Sequence, residues 1–216
     1  MHKSIVNLNS IKEDLKSKIN NYENVKVIAV SKTFPIETIM PLIEYGHLEY
    51  GENKVQETIA KWTEVKSAKP NIKLHLIGKL QTNKVKLALK LFDYIHSVDT
   101  KKLAKKIADE ELKQNKKIKI FLQVNIGNEK QKSGINKNYL NDLYLYCKNL
   151  NLDIIGLMCI PPTEAKSKIF FKEMALLTKK LDLKELSMGM SSDYIEAANN
   201  SSTYLRIGSY IFGKRS

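Results

Sequence analysis

The sequence contains little cysteine and no long apolar run. Its 216 residues include two cysteines, Cys147 and Cys159, which are too few for a disulfide framework and not spaced as metal ligands. No apolar stretch approaches the roughly 20 residues that a membrane helix requires, and residues 1–9 lack an apolar segment of signal-peptide length. We therefore expect a cytoplasmic protein with two buried thiols, no metal site and no membrane partner.

Arginine is also scarce, although the chain is strongly basic. The net charge is +13, yet the 36 basic residues include only two arginines, Arg206 and Arg215. Base readout and phosphate recognition in nucleic acids favour the arginine fork, and the lysines are scattered along many segments. We therefore expect no nucleic-acid partner. Because arginine is so rare here, we expect that a position that does carry one needs the guanidinium group specifically.

Alternating helix and strand patterns predict the fold class. Apolar positions at spacings of three and four predict a leading helix within residues 1–24, and eight strands follow at 25–30, 47–50, 73–77, 94–96, 117–124, 153–158, 186–188 and 203–207. Seven of these strands precede a predicted helix, which favours an α/β (β/α)8 TIM barrel forming one domain over residues 1–216. An open doubly wound sheet is the alternative, but the first βα turn, SKTFP, lacks the glycines of a dinucleotide site.

Lys32 is the first candidate functional residue. It follows the buried-looking strand 25–30 directly, at the mouth of the predicted core. Partial desolvation there would favour the neutral amine, which attacks a carbonyl to form a Schiff base. The alternative is an ordinary solvated lysine at a strand end, because lysine is abundant in this chain.

The last two βα turns indicate an anion site. Ser191 and Ser192 precede a predicted helix, whose start carries Asp193 and Glu196 at capping-box spacing. Gly208 and Ser209 follow the eighth strand, and the loops after strands seven and eight often hold a phosphate in such barrels. Helix capping is the alternative role for the serines.

Arg206 lies within the eighth strand, on the opposite face to its neighbours Leu205 and Ile207. An arginine that points into a barrel must be paired, because a buried unpaired cation is costly. An outward arginine beside a helix is the alternative. A Schiff-base lysine, a phosphate cup and an inward arginine together match pyridoxal 5'-phosphate (PLP).

Six stretches carry a family resemblance: AVSKTFP, YGENKVQE, HLIGKLQTNK, GLM, LSMGMSSDYIEA and LRIGSYIFGKR. By these the chain resembles the pyridoxal phosphate homeostasis proteins (the YggS or PROSC family), which are similar to the barrel domain of alanine racemases. The resemblance implies a fold-type III PLP barrel in which the site residues are Lys32 for the Schiff base, Ser191, Gly208 and Ser209 for the phosphate, Arg206 for the pyridine nitrogen, and Asn53 beside the cofactor. Ser209 stands where threonine is commoner and keeps the hydroxyl.

The expected function is that of a PLP-binding protein. The resemblance implies a chain that carries PLP as a lysine Schiff base and contributes to intracellular PLP (vitamin B6) homeostasis, with apo-enzymes as recipients. Because a guanidinium does not readily lose its proton, Arg206 would leave the pyridine nitrogen unprotonated and the ring a weak electron sink, so we expect no robust catalysis. A racemase-like enzyme acting on amino acids and a Schiff-base aldolase remain the alternatives.

The racemases add a tyrosine base from a second domain and a neighbouring subunit. The chain ends at Ser216, so we expect neither that domain nor that base, and we expect a monomer. Packing is the favoured role for Tyr50 and Tyr210, and a structural role for His75 and His96. The pattern assigns no role to Gln81, Asn83 and Lys84.

Overall fold

Eight parallel strands form one closed barrel in the computed structural model, which describes residues 1–162 and 167–213. Each strand pairs with the next in chain order, and the eighth pairs with the first. The strands are β1 (Lys26–Val30), β2 (Glu49–Glu52), β3 (Lys73–Leu76), β4 (Tyr94–Val98), β5 (Lys119–Val124), β6 (Asp153–Cys159), β7 (Glu185–Ser187) and β8 (Tyr204–Ile207). The predicted (β/α)8 architecture is confirmed.

Helices cover the outside of the barrel. They are α1 (Lys3–Lys18), α2 (Ile36–Glu44), α3 (Val55–Ala68), α4 (Val85–Leu91), α5 (Lys101–Gln114), α6 (Leu140–Asn149), α7 (Ser167–Lys180), α8 (Tyr194–Asn199) and α9 (Ser209–Phe212). The predicted leading helix is α1, which is followed by a short 3-10 turn at Tyr22–Asn24. Position 165, where the seventh helix was predicted to begin, and Arg215 lie outside the described residues. Within 1–162 and 167–213, no helix has the length and apolar character needed to cross a membrane.

Successive side chains along a strand point alternately into two buried regions, one between the sheet and the helices and one inside the barrel. In β8, Leu205 and Ile207 join the large core between the sheet and the helices, whereas Tyr204 joins a smaller cluster inside the barrel. Arg206 is buried with Tyr204 on the inward face, since it bonds to Ser187 of β7. The inward orientation predicted for Arg206 therefore holds.

The second strand lies two residues later than predicted. It runs from Glu49 to Glu52, because this segment pairs with β3 in the register Glu49–Lys73 and Glu52–Leu76. His47 instead precedes the strand, and its Nε2 lies 2.9 Å from the carbonyl oxygen of Glu49. The shift places Asn53 directly after the strand end.

The capping box predicted at the start of α8 is wrong. The carboxylate of Asp193 accepts a hydrogen bond from the backbone N–H of Met190 at 2.7 Å and makes no side-chain cap. Glu196 accepts from the amide of Asn200 at 3.0 Å. Asp193 therefore closes the turn that precedes the helix.

Burial of His47 predicts a pH-dependent stability. Desolvation, as the largest cause, lowers the pKa of its imidazole to about 4. The unfolded chain then binds this proton at a higher pH than the folded chain, so stability falls as the pH drops from about 6.5 toward 4. We expect His47 to remove about 2 kcal/mol of unfolding free energy between pH 8 and pH 5. Urea unfolding at both pH values measures it, and a His47→Gln variant that keeps the full pH dependence would contradict it.

Candidate functional site

A pocket of about 450 Å³ opens at the carboxyl ends of the strands. All six residues predicted for the site line it: Lys32, Asn53, Ser191, Arg206, Gly208 and Ser209. The rest of the wall consists mainly of apolar side chains and glycine, together with Ser192. The apolar and glycine residues include Val30, Phe34, Ile77, Gly78 and Ile160. The structure thus brings the six residues together, and their individual binding roles stay predictions.

Of two other clefts, one lies apart from this pocket and one adjoins it. A cleft of about 570 Å³ beside α7 is lined by residues such as Lys172 and Lys179 and contains none of the predicted site residues. A smaller one of about 330 Å³ shares Asn53 with the strand-end pocket and includes Gln81 and Lys84. No cluster of metal-ligating side chains occurs in the part of the chain that the structure describes.

A tight turn presents Lys32 to the pocket. The backbone N–H of Phe34 donates to the carbonyl of Ser31 at 3.1 Å and closes the turn. Thr33, inside it, has a φ of 71°, in the left-handed region that a β-branched residue disfavours. Strained backbone of this kind persists only where surrounding contacts hold it in place.

The buried carboxylate of Glu52 supplies those contacts. Its side chain is 1% exposed, and Oε1 accepts from Ser31 Oγ at 2.7 Å and from Trp62 Nε1 at 3.0 Å. Lys61 Nζ forms an ion pair with the same oxygen at 2.6 Å and donates to the carbonyls of Ser31 and Phe34 at 2.9 and 3.1 Å. Residues of β2 and α3 therefore hold the turn that carries Lys32.

This support was not predicted from the sequence. Glu52 belongs to the YGENKVQE stretch, and an acidic residue at the end of a buried strand was the available signal. Lys61 gave no signal, because one lysine on a lysine-rich helix looks like a solvated residue.

Two serine hydroxyl groups meet at one side of the pocket. Ser209 Oγ lies 3.1 Å from Ser191 Oγ, which also accepts from the backbone N–H of Tyr210 at 3.2 Å. The helix after Ser191 contains six residues and the helix that begins at Ser209 contains four, so their dipoles are small. Hydroxyl and amide donors, rather than a helix dipole, are what this side offers to an anion.

Asn53, one of the residues that line the pocket, has an unsatisfied acceptor. Its Oδ1 is buried and has no hydrogen-bond partner among the described residues. Gly78 permits its position, since a Cβ at residue 78 would lie 2.3 Å from the carbonyl oxygen of Asn53. A buried acceptor without a partner is costly, so a donor on a bound molecule would stabilise this arrangement.

Arg206 forms the floor of the pocket. It is 4% exposed, and its Nη1 and Nη2 donate to Ser187 Oγ at 2.7 Å and to the carbonyl of Cys159 at 2.8 Å. Burial lowers the pKa of Arg206, but the ordinary value is so high that the guanidinium stays protonated at neutral pH.

Burial also raises the pKa of the thiols of Cys147 and Cys159 to about 12, as expected of buried, unreactive cysteines.

The other candidates lie outside the pocket. Tyr50 is fully buried in the outer core, 4.9 Å from Trp62 between ring centroids, and the side chain of Tyr210 is 42% exposed. His75 and His96 are buried inside the barrel, with Nδ1 of His75 3.0 Å from Nε2 of His96. None of the four side chains lines the pocket.

Comparison with known proteins matches this architecture to a family. Residues 6–216 match the family model described as alanine racemase, N-terminal domain. The pyridoxal phosphate homeostasis protein of Haemophilus influenzae is 35% identical over 224 residues, covering 97% of this chain and 94% of the relative. The chain belongs to the pyridoxal phosphate homeostasis protein family. The family member from Aquifex aeolicus is 36% identical over 200 residues, covering 88% of this chain and 87% of its own.

Solved structures place the family fold beside that of the racemases. PipY of Synechococcus elongatus without PLP has a TM-score of 0.88 at 32% identity, covering 98% of this chain and 100% of that one. The PipY structure with PLP bound has a TM-score of 0.84 at 33% identity, covering 93% and 97%. Alanine racemase of Clostridium difficile has a TM-score of 0.74 at 15% identity, covering 98% of this chain but 56% of its own, and shares the fold.

Proposed function

We propose that this chain binds PLP in the strand-end pocket, with Lys32 as the covalent attachment point, and contributes to PLP homeostasis. The observation that carries the proposal is the convergence of Lys32, the Ser191–Ser209 hydroxyl pair and Arg206 on one pocket. An amine, anion donors and a guanidinium are the groups that the aldehyde, phosphate and ring nitrogen of PLP require.

The pocket fits such a molecule. Its volume of about 450 Å³ lies in the range of small-molecule sites, and its wall is mostly apolar with a few convergent polar groups. The buried Oδ1 of Asn53 has no hydrogen-bond partner among the described residues, so a donor on a bound molecule would satisfy it. The PLP-bound structure of PipY, at 33% identity, supports the same assignment.

The residues of the pocket suit retention better than turnover. PLP, when bound, supplies an aldehyde that condenses with an amine and a ring that accepts electrons. Glu52 and Lys61 fix the turn of Lys32, and the serine hydroxyls orient an anionic group. Arg206 keeps its own proton, so it offers a hydrogen bond to a ring nitrogen without protonating it. We therefore propose a carrier rather than an enzyme.

Absorbance spectroscopy tests PLP binding. We expect the purified protein, incubated with PLP and then separated from unbound PLP by gel filtration, to be yellow, with a visible band that borohydride abolishes. Lys32→Ala removes the covalent attachment point, so it should show no such band, whereas Lys105→Ala, which changes an exposed lysine of α5, should match wild type. A wild-type protein that is colourless after saturation with PLP and removal of the unbound cofactor would contradict the proposal.

Isotope exchange distinguishes the carrier from an enzyme. The PLP-loaded protein is incubated with single amino acid enantiomers in deuterated water. We expect α-deuterium incorporation no faster than with free PLP, because the arginine partner mutes carbanion chemistry. Incorporation at enzymatic rates would establish a racemase-like activity instead.

We further propose that the protein is a cytoplasmic monomer that passes PLP to apo-enzymes. The two buried thiols support a reducing compartment. Light scattering measures the mass in solution, and mixing the loaded protein with a PLP-dependent apo-enzyme measures transfer. Recovery of enzyme activity no faster than with the same amount of free PLP would contradict the carrier role.

A further inference from the structure

A hydrogen-bonded chain of polar side chains runs through the barrel beneath Arg206. Arg206 Nη1 lies 2.7 Å from Ser187 Oγ, and that oxygen lies 2.9 Å from His96 Nδ1. His96 Nε2 lies 3.0 Å from His75 Nδ1, and His75 Nε2 lies 2.6 Å from Glu49 Oε2. Glu49 is the first residue of β2. The chain therefore connects the pocket at one end of the barrel with the opposite mouth.

The members of this chain are isolated from solvent. Arg206, Ser187, His96 and His75 are at most 4% exposed, and the side chain of Glu49 is 21% exposed. Five different strands supply the five residues, one each. Buried polar networks are stabilising only when every donor and acceptor is satisfied, so the proton positions are strongly constrained.

Hydrogen-bond chemistry fixes the direction of the chain. The guanidinium of Arg206 only donates, so Ser187 Oγ accepts from it and directs its own proton to His96 Nδ1. A neutral His96 then carries its proton on Nε2 and donates to His75 Nδ1. His75 donates from Nε2 to the carboxylate of Glu49. The reverse direction would leave the Ser187 proton without an acceptor and turn a lone pair of His75 toward Glu49.

The two imidazoles are buried against aromatic rings, and this burial favours their neutral form. The ring of His75 stacks on Tyr94 and that of His96 stacks on Phe121, each with centroids 4.2 Å apart. Burial is the largest cause that lowers the pKa of both imidazoles. For His96, electrostatic interactions with His75 and Arg206 lower the pKa further. For His75, the hydrogen bond to Glu49 and the negative charges of Glu49 and Asp93 raise the pKa in part, whereas the charge of Lys26 lowers it. Both rings are therefore neutral at pH 7, and the directions of their hydrogen bonds place the proton of each on Nε2.

We propose that this hydrogen-bonded series of side chains positions Arg206 toward the ring nitrogen of bound PLP, with Ser187, His96 and His75 as positioning residues. The inference rests on the proposed PLP binding. Ser187 is the decisive link, because its proton is committed to His96 and its lone pair is left to receive Arg206. That bond and the one to the Cys159 carbonyl use two of the five N–H donors of Arg206 and set the plane of its guanidinium.

NMR of the cofactor-free wild-type protein tests the chain without PLP and without a variant. Long-range ¹H–¹⁵N spectra should show His75 and His96 as neutral rings protonated on Nε2. The chain has only two arginines, so the guanidinium signals of Arg206 are readily assigned. We expect separate, slowly exchanging Nη–H signals for Arg206. Protonation of either ring on Nδ1 at pH 7 would overturn the inferred direction.

The variant Ser187→Ala tests positioning, with Ser97→Ala as the matched control. Ser97 is also buried on a barrel strand, but its Oγ has no hydrogen-bond partner among the described residues. We expect Ser187→Ala to merge the Arg206 Nη–H signals and to raise the Kd for PLP roughly tenfold, and Ser97→Ala to change neither.

The outcomes separate the two proposals. PLP binding by wild type that is unchanged in Ser187→Ala, with Arg206 signals still resolved, would overturn the positioning role alone. A wild-type protein that binds no PLP would overturn the proposed function and, with it, the assignment of Arg206 to the ring nitrogen. If Ser187→Ala does not fold, the wild-type NMR result still decides whether the chain has the inferred direction.

Discussion

Replacing Glu52 with alanine is expected to cost about 3–5 kcal/mol of unfolding free energy, because it leaves a buried cation without its partner. Lys61, 13% exposed, would lose its ion pair, and the donors of Ser31 and Trp62 would lose their acceptor. Urea denaturation measures the loss. PLP occupancy should fall as well, since the turn that carries Lys32 would no longer be held.

Two further variants give this prediction its controls. Glu57→Ala breaks the exposed pair with Lys54, whose side chains are 51% and 66% exposed, and should cost under about 1 kcal/mol. The double variant Glu52→Gln with Lys61→Met should cost less than Glu52→Ala alone, because no charge stays buried and unpaired. If Glu52→Ala costs no more than Glu57→Ala, Glu52 does not anchor the turn.

Replacing Ser191 and Ser209 together with alanine is expected to lower PLP affinity by at least about a hundredfold, because hydrogen bonds to a charged group contribute about 1.5–3 kcal/mol each. Arg206→Ala should weaken retention less, since a phosphate accepts several charge-assisted bonds and a ring nitrogen accepts one. Titration of each cofactor-free variant with PLP, followed by absorbance, measures the difference.

Ser97→Ala again controls for the loss of a serine hydroxyl. It should bind PLP as wild type does, because Ser97 Oγ has no hydrogen-bond partner among the described residues. Equal occupancy in the double serine variant and wild type would refute the phosphate assignment.

The barrel and the pocket residues were predictable from sequence for a local reason. Strand and helix periodicity is written in consecutive residues, and parallel strands bring their carboxyl ends to one side. Lys32 and Gly208 could therefore be placed near one another although they lie at opposite ends of the chain. The position of Arg206 between Leu205 and Ile207 put its side chain on the face opposite to theirs, and its burial and its bond to Ser187 identify that face as the inward one.

Contacts that depend on packing were not predictable in the same way. The register of β2 is set by its pairing with β3. The local sequence alone therefore predicted a strand start at His47, two residues too early. The bond between His96 and Ser187 joins residues 91 positions apart, and their meeting depends on the shear of the closed barrel. Lys61 was indistinguishable in sequence from the other lysines.

Reductive trapping followed by peptide mass mapping tests the assignment of Lys32 most directly. The wild-type protein is incubated with PLP, treated with borohydride and digested, and the modified lysines are located among the 34 in the chain. We expect one phosphopyridoxyl group per chain, on Lys32, because among the described residues Lys32 is the lysine that lines the pocket together with the serine pair and Arg206. An adduct on another lysine, or one spread over many surface lysines with Lys32 unmodified, would contradict the proposed site.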